Sequence, residues 1–309
     1  MRSKENNFIS AVLYVHNNEN NIKPFIERLN AVFSENFKQF EIICVDDCSN
    51  DKSAQCVREA AKEVTEGAAV LISTGFYQGL ESAMLAGVDF ASGDFVFEFD
   101  SVIADYDFSL IMDVYTRCIS GCDIVGASSK SKQAKSSRMF YSLFNKNSKT
   151  QYKIQTESFR ILSRRAINRI NQMNLTIPYR KAIYANCGFR YENISYKAEP
   201  TALAKSRAKS SYRQNLAFDS FIIFTDVAYK ISLTLTIIMM CLSLVSAAYT
   251  LTIFFYGRPV EGWTTMMIMM AVGFFAMFGI MSIIIKYLSV IVNLIFKKTK
   301  YVIGNIEKL

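Results

Sequence analysis

The sequence predicts an α/β domain with a mostly parallel sheet, followed by two C-terminal transmembrane helices. Two observations lead to this prediction. Along the first 126 residues, short apolar segments typical of buried strands alternate with longer segments whose apolar residues recur at helical spacing. Later in the chain, the ranges 231–256 and 263–285 contain no charged residue over 26 and 23 positions. The hydrophobic share of 51% excludes a disordered chain.

The predicted elements of the first region follow one another as strand, helix, strand, helix. Predicted strands cover 8–15, 40–45, 69–73, 95–99 and 123–126, and predicted helices cover 20–33, 53–64, 80–90 and 110–119. Such alternation is typical of an open parallel sheet with helices on both faces. Because right-handed crossovers bring the carboxyl ends of parallel strands to one edge, a ligand is expected at that edge.

Polar residues stand directly after three of these strands. Asn17 follows the first strand, Asp46 and Asp47 follow the second, and Asp100 follows the strand over 95–99. These side chains are therefore expected to share one edge of the sheet, where a ligand would meet them.

A basic region follows this acidic one. Residues 1–123 hold 9 Lys and Arg against 20 Asp and Glu, whereas residues 124–225 hold 19 against 4. This partition does not indicate a nucleic-acid partner; it indicates a site with a metal or sugar on one side and anionic groups on the other. Seven cysteines and a single histidine supply no zinc set, so reduced thiols in a cytosolic domain are expected.

The two uncharged ranges are long enough to cross a bilayer. As helices they would reach about 39 and 35 Å, against a hydrocarbon core of about 30 Å. Buried helices of a soluble core are the alternative, which these lengths disfavour. Lys230 precedes the first range and Lys286 follows the second. The positive-inside rule therefore places the start of the first helix and the end of the second in the cytoplasm. The first residues contain no apolar run typical of a signal peptide.

These observations predict a multi-pass protein of the cell membrane whose folded domain lies in the cytoplasm. An amphipathic helix on the membrane surface is expected before the first span, because apolar residues recur there at helical spacing with few charges. The predicted parts are a cytoplasmic domain over 1–214, the surface helix over 215–229, transmembrane helices over 230–256 and 263–286 with an external loop over 257–262, and a cytoplasmic tail over 287–309.

Four segments, in order, resemble a known family. They are VDDCSND at 45–51, YQGLESAMLAGVDFASGDFVFEFD at 77–100, SFRILSRRAI at 158–167 and YGRPVEGWTT at 256–265. Together they resemble the motifs of family 2 of the inverting glycosyltransferases. The branch that they most resemble is the polyprenyl-phosphate glycosyltransferases, which includes the bactoprenol glucosyltransferases and the dolichol-phosphate mannose synthases.

This resemblance implies a catalytic domain of the GT-A fold. Such an enzyme transfers a sugar, with inversion, from a nucleotide sugar to a polyprenyl phosphate such as undecaprenyl phosphate. The donor is expected to be uridine-linked, and the product would serve to decorate a cell-surface polysaccharide or teichoic acid. The expected partners are therefore the nucleotide sugar, the polyprenyl phosphate, the lipid bilayer and other copies of the chain in a homo-oligomer.

The resemblance also assigns roles to individual residues. Residues expected to bind the nucleotide sugar are Asn17, Asp46, Asp47, Gly79 and Asp100. Residues expected to take part in catalysis are Asp100 and Arg160, and cations expected to bind the lipid phosphate are Lys135, Arg138, Arg160 and Arg207. For Lys135 and Arg138, a basic face that rests on anionic lipid without a catalytic role is an alternative.

The metal motif of the family is incomplete in this chain. Asp100 would be its first carboxylate, and the resemblance implies Mg²⁺ or Mn²⁺, but Val102 replaces the second aspartate and Ala104 the following glutamine. One carboxylate is a poor ligand set for a hard cation, and Asp105 and Asp107 are the nearest substitutes in the sequence. Two alternatives to the active enzyme stay open: a non-catalytic relative that acts as a partner or regulator, and a transferase acting on another lipid, such as a diacylglycerol.

Overall fold

The structure is a computed structural model, and the chain in it forms two compact units. One unit comprises Met1–Ser220 together with Lys297–Leu309, and the other comprises Phe221–Phe296. The residues that the structure describes are 3–130, 157–173, 180–198, 227–257, 260–295 and 301–309.

The first unit contains strands and helices in alternation. Within the described residues, its strands are β1 (Ile9–Val15), β2 (Phe40–Asp46), β3 (Ala68–Thr74), β4 (Phe95–Phe99), β5 (Ile124–Ser129), β6 (Phe159–Ser163), β7 (Tyr191–Tyr196) and β8 (Ile303–Lys308). Its helices, over the same residues, are α1 (Glu19–Asn36), α2 (Ser53–Ala61), α3 (Leu80–Phe90), α4 (Leu110–Ile119), α5 (Arg164–Gln172) and α6 (Arg180–Asn186). The alternation predicted for the first 126 residues is therefore present.

The strands of the described chain join in one sheet with the order β7-β5-β6-β4-β1-β2-β3-β8. The neighbours among β1, β2, β3 and β4 are parallel, and so are β5 and β7. β6 runs antiparallel between β4 and β5, and β8 runs antiparallel to β3 at the far edge. The predicted α/β class with a mostly parallel sheet is confirmed, and the carboxyl ends of β1 to β4 meet at one edge.

Each face of the sheet is covered by a separate apolar core. Buried residues of α1, α2 and α4 pack on one face with Leu13 and Phe97, and those of α3, α5 and α6 pack on the other with Val12 and Val96. This alternation follows from the period of two along each strand. Gly87 lets α3 approach closely, because a Cβ atom there would lie 2.3 Å from Val12 Cγ1.

The last strand, β8, comes from the segment that was predicted only as a tail over 287–309. The side-chain amide of Gln78 fixes the entry to this strand: its Nε2 donates to the carbonyl oxygen of Val302 at 2.5 Å, and its Oε1 accepts from Val302 N at 2.7 Å. Arg58 adds a two-bond ion pair with Glu307 at 2.8 and 2.9 Å. The chain thus returns to the sheet of the first unit after it has passed through the second.

The second unit consists, in its described part, of two long helices that pack against each other, α7 (Val227–Tyr256) and α8 (Trp263–Ile295). The most apolar 18-residue stretches within Leu233–Tyr256 and Trp263–Leu288 have mean hydropathies of 2.1 and 2.5, and only 6% of either stretch is buried. A helix from a soluble core would be mostly buried. These two helices are therefore long, apolar and exposed enough to cross a membrane.

Deletion of residues 301–309 tests whether β8 is a structural part of the sheet. We expect a lower unfolding midpoint and increased aggregation, because β3 would become an edge strand on which the five residues from Val70 to Thr74 lose their partners. The midpoint can be followed in the detergent-solubilised full chain by reaction of its buried thiols with a fluorogenic maleimide. Glu307→Gln is the matched control: it weakens one exposed ion pair but keeps the strand, so only a small change in the midpoint is expected. Equal effects of the two changes would contradict the prediction.

Candidate active site

Asp47 fastens the sheet edge at which the predicted nucleotide-binding residues lie. Its Oδ1 accepts from Thr74 Oγ1 at 3.1 Å and from Gln78 N at 2.8 Å. Its Oδ2 accepts from the Tyr14 hydroxyl at 3.1 Å and from Gly79 N at 2.8 Å. The residue is fully buried. The carboxylate therefore holds the ends of β1 and β3 and the start of α3 in one arrangement.

Two members of this arrangement show how closely it depends on their residue types. Gly79 has a φ of 86°, a left-handed backbone conformation that residues with a side chain rarely adopt. Its N–H donates to the carboxylate of Asp47. Burial, with the charge of Asp47 beside it, raises the pKa of the Tyr14 phenol far above its ordinary value. Tyr14 thus stays a neutral hydrogen-bond donor at any physiological pH.

Two more of the polar residues of this edge, Asn17 and Asp46, lie at the ends of β1 and β2, where the turns that follow these strands contact each other. Asn17 and Cys48 have φ of 51° and 54°, a left-handed conformation that residues with a side chain rarely adopt. Ser49 Oγ accepts from Asn17 N at 3.0 Å, while Ser49 N donates to Asp46 Oδ1 at 3.3 Å. Burial raises the pKa of the Asp46 carboxyl, and the hydrogen bonds from Ser49 partly offset this.

Aromatic rings lie at the open side of this edge. The His16 ring stands 4.7 Å from the ring of Tyr77, centroid to centroid, and His16 Nδ1 lies 2.7 Å from the backbone oxygen of Asp47. Tyr77 and its neighbour Phe76 are 45% and 56% exposed. Exposed rings beside a buried carboxylate are an arrangement that can contact a planar base.

A second group of charged residues lies at the end of β4. Glu98 and Arg160 face each other directly across β4 and β6, and the Arg160 Nη1 donates to the carboxylate of Glu98. The same guanidinium donates through Nη2 to Asp100 Oδ2 at 2.8 Å and through Nε to Glu157 Oε2 at 2.7 Å. Arg160 and Glu98 are fully buried, so this is an ion-pair network inside the protein.

Helix α6 adds a second buried guanidinium to this network. Arg180 donates to Glu81 Oε2 at 3.0 Å and to Asp100 Oδ1 at 2.8 Å, and its Nη1 lies 2.8 Å from Glu98 Oε2 without the alignment of a hydrogen bond. The ammonium of Lys181 lies 3.9 Å from Asp100 Oδ2. We call the six residues Glu81, Glu98, Asp100, Glu157, Arg160 and Arg180 the buried charge cluster.

The cluster determines the ionisation state of Asp100. Burial alone would raise the pKa of this carboxyl, but Arg160, Arg180 and Lys181 outweigh burial and hold its pKa well below the ordinary range. The same contacts keep both guanidinium groups charged, since the carboxylates raise their pKa above the ordinary value although burial opposes this. Asp100 is therefore an anion whose two oxygens both accept N–H groups of arginine.

The surroundings of Asp100 do not form a ligand set for a divalent cation. Val102 is buried in the apolar core with 3% exposure. Asp105 accepts from the Tyr196 hydroxyl at 2.5 Å. Asp107 accepts from Ser109 N at 2.7 Å, a local hydrogen bond that is typical of the residues just before a helix. Over the described residues, no group of three or more His, Cys, Asp and Glu side chains could hold a metal ion. Asp100 is thus the one carboxylate that this chain keeps of the family's metal motif, and two arginines donate to its oxygens.

The structure brings together some of the predicted site residues. Asn17, Asp46, Asp47 and Gly79 share the first edge, and Asp100 and Arg160 share the buried charge cluster. Lys135, Arg138 and Arg207 lie outside the described residues, as does most of the surface helix predicted over 215–229. Sequence analysis missed four members of the cluster, Glu81, Glu98, Glu157 and Arg180, and it missed the neighbouring Lys181. One available signal was Glu98, a charged residue inside the apolar strand FVFEF.

Comparison with known proteins decides the family. The model of glycosyl transferase family 2 matches residues 10–170, which is just over half of the chain. The chain belongs to glycosyl transferase family 2. The family and the GT-A class of fold expected from the sequence motifs are thereby confirmed, and the match includes the edge around Asp47 and every member of the buried charge cluster except Arg180.

Relatives in this family extend the similarity to nearly the whole chain. A prophage bactoprenol glucosyl transferase homolog of Escherichia coli is 23% identical over 308 residues, which cover 97% of this chain and 99% of the relative. An uncharacterized glycosyltransferase of Synechocystis is 27% identical, covering 84% and 83%. Among solved structures, glucosyl-3-phosphoglycerate synthase from Mycobacterium tuberculosis with Mn²⁺ and uridine-diphosphate-glucose has a TM-score of 0.48 and 13% identity, covering 71% and 77%.

Arg160→Met tests the importance of the cluster for stability. It leaves Glu98, Asp100 and Glu157 buried without this cation, so a loss of about 3–5 kcal/mol in the free energy of unfolding is expected. Arg160→Lys should also destabilise, since one ammonium cannot replace a planar fork that binds three carboxylates. Lys23→Met, which removes an exposed cation, is the control with an expected loss of about 1 kcal/mol or less. Thiol exposure on heating gives each midpoint, and an Arg160→Met midpoint equal to that of Lys23→Met would refute the role.

Proposed function

We propose that this protein is a membrane-anchored glycosyltransferase that moves a hexose from a nucleotide sugar to polyprenyl phosphate. The observation that carries the proposal is the end-to-end similarity to a bactoprenol glucosyl transferase homolog, over both the α/β domain and the two apolar helices. A second relative, an undecaprenyl-phosphate 4-deoxy-4-formamido-L-arabinose transferase of Edwardsiella ictaluri, is 36% identical over 95 residues, 30% of this chain and 29% of its own. The names of both relatives refer to a polyprenyl carrier.

The chemistry of the acceptor suits a site of this kind. A phosphate monoester is ionised near neutral pH, so its oxygen can attack without a dedicated general base. That oxygen forms a bond to the anomeric carbon while the bond from this carbon to the donor's diphosphate breaks. The electron pair leaves with the nucleoside diphosphate, and the configuration inverts. The protein has to position the two anions and stabilise the charge on the leaving group.

We assign the nucleotide to the edge that Asp47 fastens. In this proposal Asn17 and Asp46 meet the nucleoside, because they lie at the strand ends and are bonded mainly to the turn that follows β2. Asp47 acts as a positioning residue, since its oxygens already accept four bonds from the protein and hold the backbone of Gln78 and Gly79. Tyr77 supplies an exposed ring for the base.

For the membrane we propose a hairpin of two spans. The sheet contains strands that precede α7 and one strand, β8, that follows α8. If both helices span the membrane, the chain therefore enters and leaves the membrane on the same side, the side on which the sheet lies. Lysines stand before the first helix and after the second, which favours the cytoplasm for the side of the membrane on which the sheet lies. The lipid product would then cross the membrane to decorate a cell-surface polysaccharide or teichoic acid. The chain would act there as a homo-oligomer at the cell membrane.

A second candidate function rests on the buried charge cluster. Because arginines occupy both oxygens of Asp100, the residue that the family uses near the donor is engaged within the protein. A relative that has given up catalysis and acts as a partner or regulator of another transferase would tolerate this arrangement. Turnover by the purified chain distinguishes the two candidates.

The assay uses the purified full chain in lipid nanodiscs with undecaprenyl phosphate. We expect release of nucleoside diphosphate from uridine-diphosphate-glucose or another nucleotide sugar, and only when the lipid phosphate is present. Asp47→Ala should reduce the rate at least tenfold, because the backbone of Gln78 and Gly79 loses its anchor. Asp113→Ala, at an exposed position of α4 outside both groups of site residues, is the control. Absence of release from every nucleotide sugar tested favours the non-catalytic candidate.

The topology can be tested with a single cysteine in the loop between the helices. Val260→Cys, at a position that is 81% exposed, should react with an impermeant maleimide added to intact cells. Glu66→Cys, on the α/β domain, should react only after the cells are permeabilised. The parent chain gives the background from its own cysteines. The opposite pattern of labelling would place the domain outside and overturn the proposed orientation.

A further inference from the structure

The place where the family resemblance implies a metal ion is already filled by positive charge. Asp100 accepts an N–H of Arg160 at one oxygen and an N–H of Arg180 at the other, both at 2.8 Å. Lys181 lies 3.9 Å away as a third cation. A divalent ion bound to Asp100 would have to replace these contacts and would stand beside three positive groups.

The two guanidinium groups cannot move aside to admit a metal. Arg160 is 0% and Arg180 is 1% exposed, and each also binds Glu98. A guanidinium that left Asp100 would remain buried among its other carboxylates, with one charge partner fewer. Neither Val102 nor Ala104 offers a side-chain oxygen to compensate for the exchange. The cluster therefore excludes the metal by charge and by packing.

Lys181 differs from the two arginines in how its charge is used. All three nitrogen atoms of Arg180 are engaged with carboxylates of the cluster. The ion pair of Lys181 with Asp100 spans 3.9 Å, which is longer than a hydrogen bond, and its side chain is 10% exposed. An ammonium group held at this distance has three N–H donors to direct at an anion. It stands where β4 ends, at the edge of the sheet where ligands of such folds bind.

We propose that this enzyme binds the diphosphate of its donor without a divalent metal, and that the ammonium of Lys181 supplies the positive charge in its place. Asp100 is then a positioning residue, which holds Lys181 near the diphosphate while the arginines neutralise its own charge. The inference rests on the proposed function, because it takes the nucleotide sugar as the ligand. It adds which group meets the leaving diphosphate and removes the metal from the requirements.

The test is a calorimetric titration of uridine diphosphate and guanosine diphosphate into the full chain, once with EDTA and once with Mn²⁺. One nucleotide is expected to bind with dissociation constants within about twofold of each other under the two conditions. Lys181→Met should weaken this binding at least tenfold, whereas Lys181→Arg should restore most of it. Lys23→Met is the matched control on the surface and should bind as the parent does. Thiol exposure on heating checks that each variant is folded.

A second measurement reports on the metal directly. The electron paramagnetic resonance signal of free Mn²⁺ should not fall on addition of stoichiometric protein, beyond the fall that the nucleotide alone causes. Nucleotide binding that appears, or tightens at least tenfold, only with Mn²⁺ overturns the inference and leaves the proposed function standing. Nucleotide affinity unchanged in folded Lys181→Met overturns the assignment to Lys181. Absence of binding by either nucleotide under both conditions overturns the proposed function and this inference with it.

Discussion

The structure of the site depends on one interaction, the contact of two buried guanidinium groups with the carboxylates around Asp100. These ion pairs join β4 and β6 of the sheet to helices α3 and α6 in the interior. Four carboxylates at these buried positions would repel one another strongly, and without the arginines helices could not cover this part of the sheet. The arginines remove that obstacle, so the packing of α6 and the charge of Asp100 are set by the same contacts.

The sequence was sufficient to predict the sheet because the sheet depends on local patterns. The strands FEIICV and FVFEF read as apolar runs, and the carboxylates after them had to meet at one edge once crossovers are right-handed. The same reasoning placed Asn17, Asp46 and Asp47 together without any measured distance. Four ordered motifs were enough to indicate the family, which the match over residues 10–170 confirms.

The buried charge cluster could not be predicted in this way. Arg160 and Glu98 are 62 positions apart, and their pairing depends on the insertion of β6 antiparallel between two other strands. No periodicity in the sequence shows which strand is inserted. Arg180 is 80 positions from Asp100 and is the first residue of a helix of only seven residues, too short to leave a periodic pattern. The strand β8 was not predicted for a similar reason. Apolar and polar residues alternate only weakly in its sequence IGNIEK, and the strand comes after a long apolar helix.

The return of the chain to β3 has a consequence for the order in which the protein is made. A chain that emerges from the ribosome presents β1 to β7 first, and with them an open edge along β3. The strand that closes this edge is synthesised only after both apolar helices. Completion of the sheet therefore waits until both apolar helices have been made, because β3 and β8 pair across more than 220 positions of the chain. A chain interrupted before β8 would keep this open edge, which is a template for pairing with other chains.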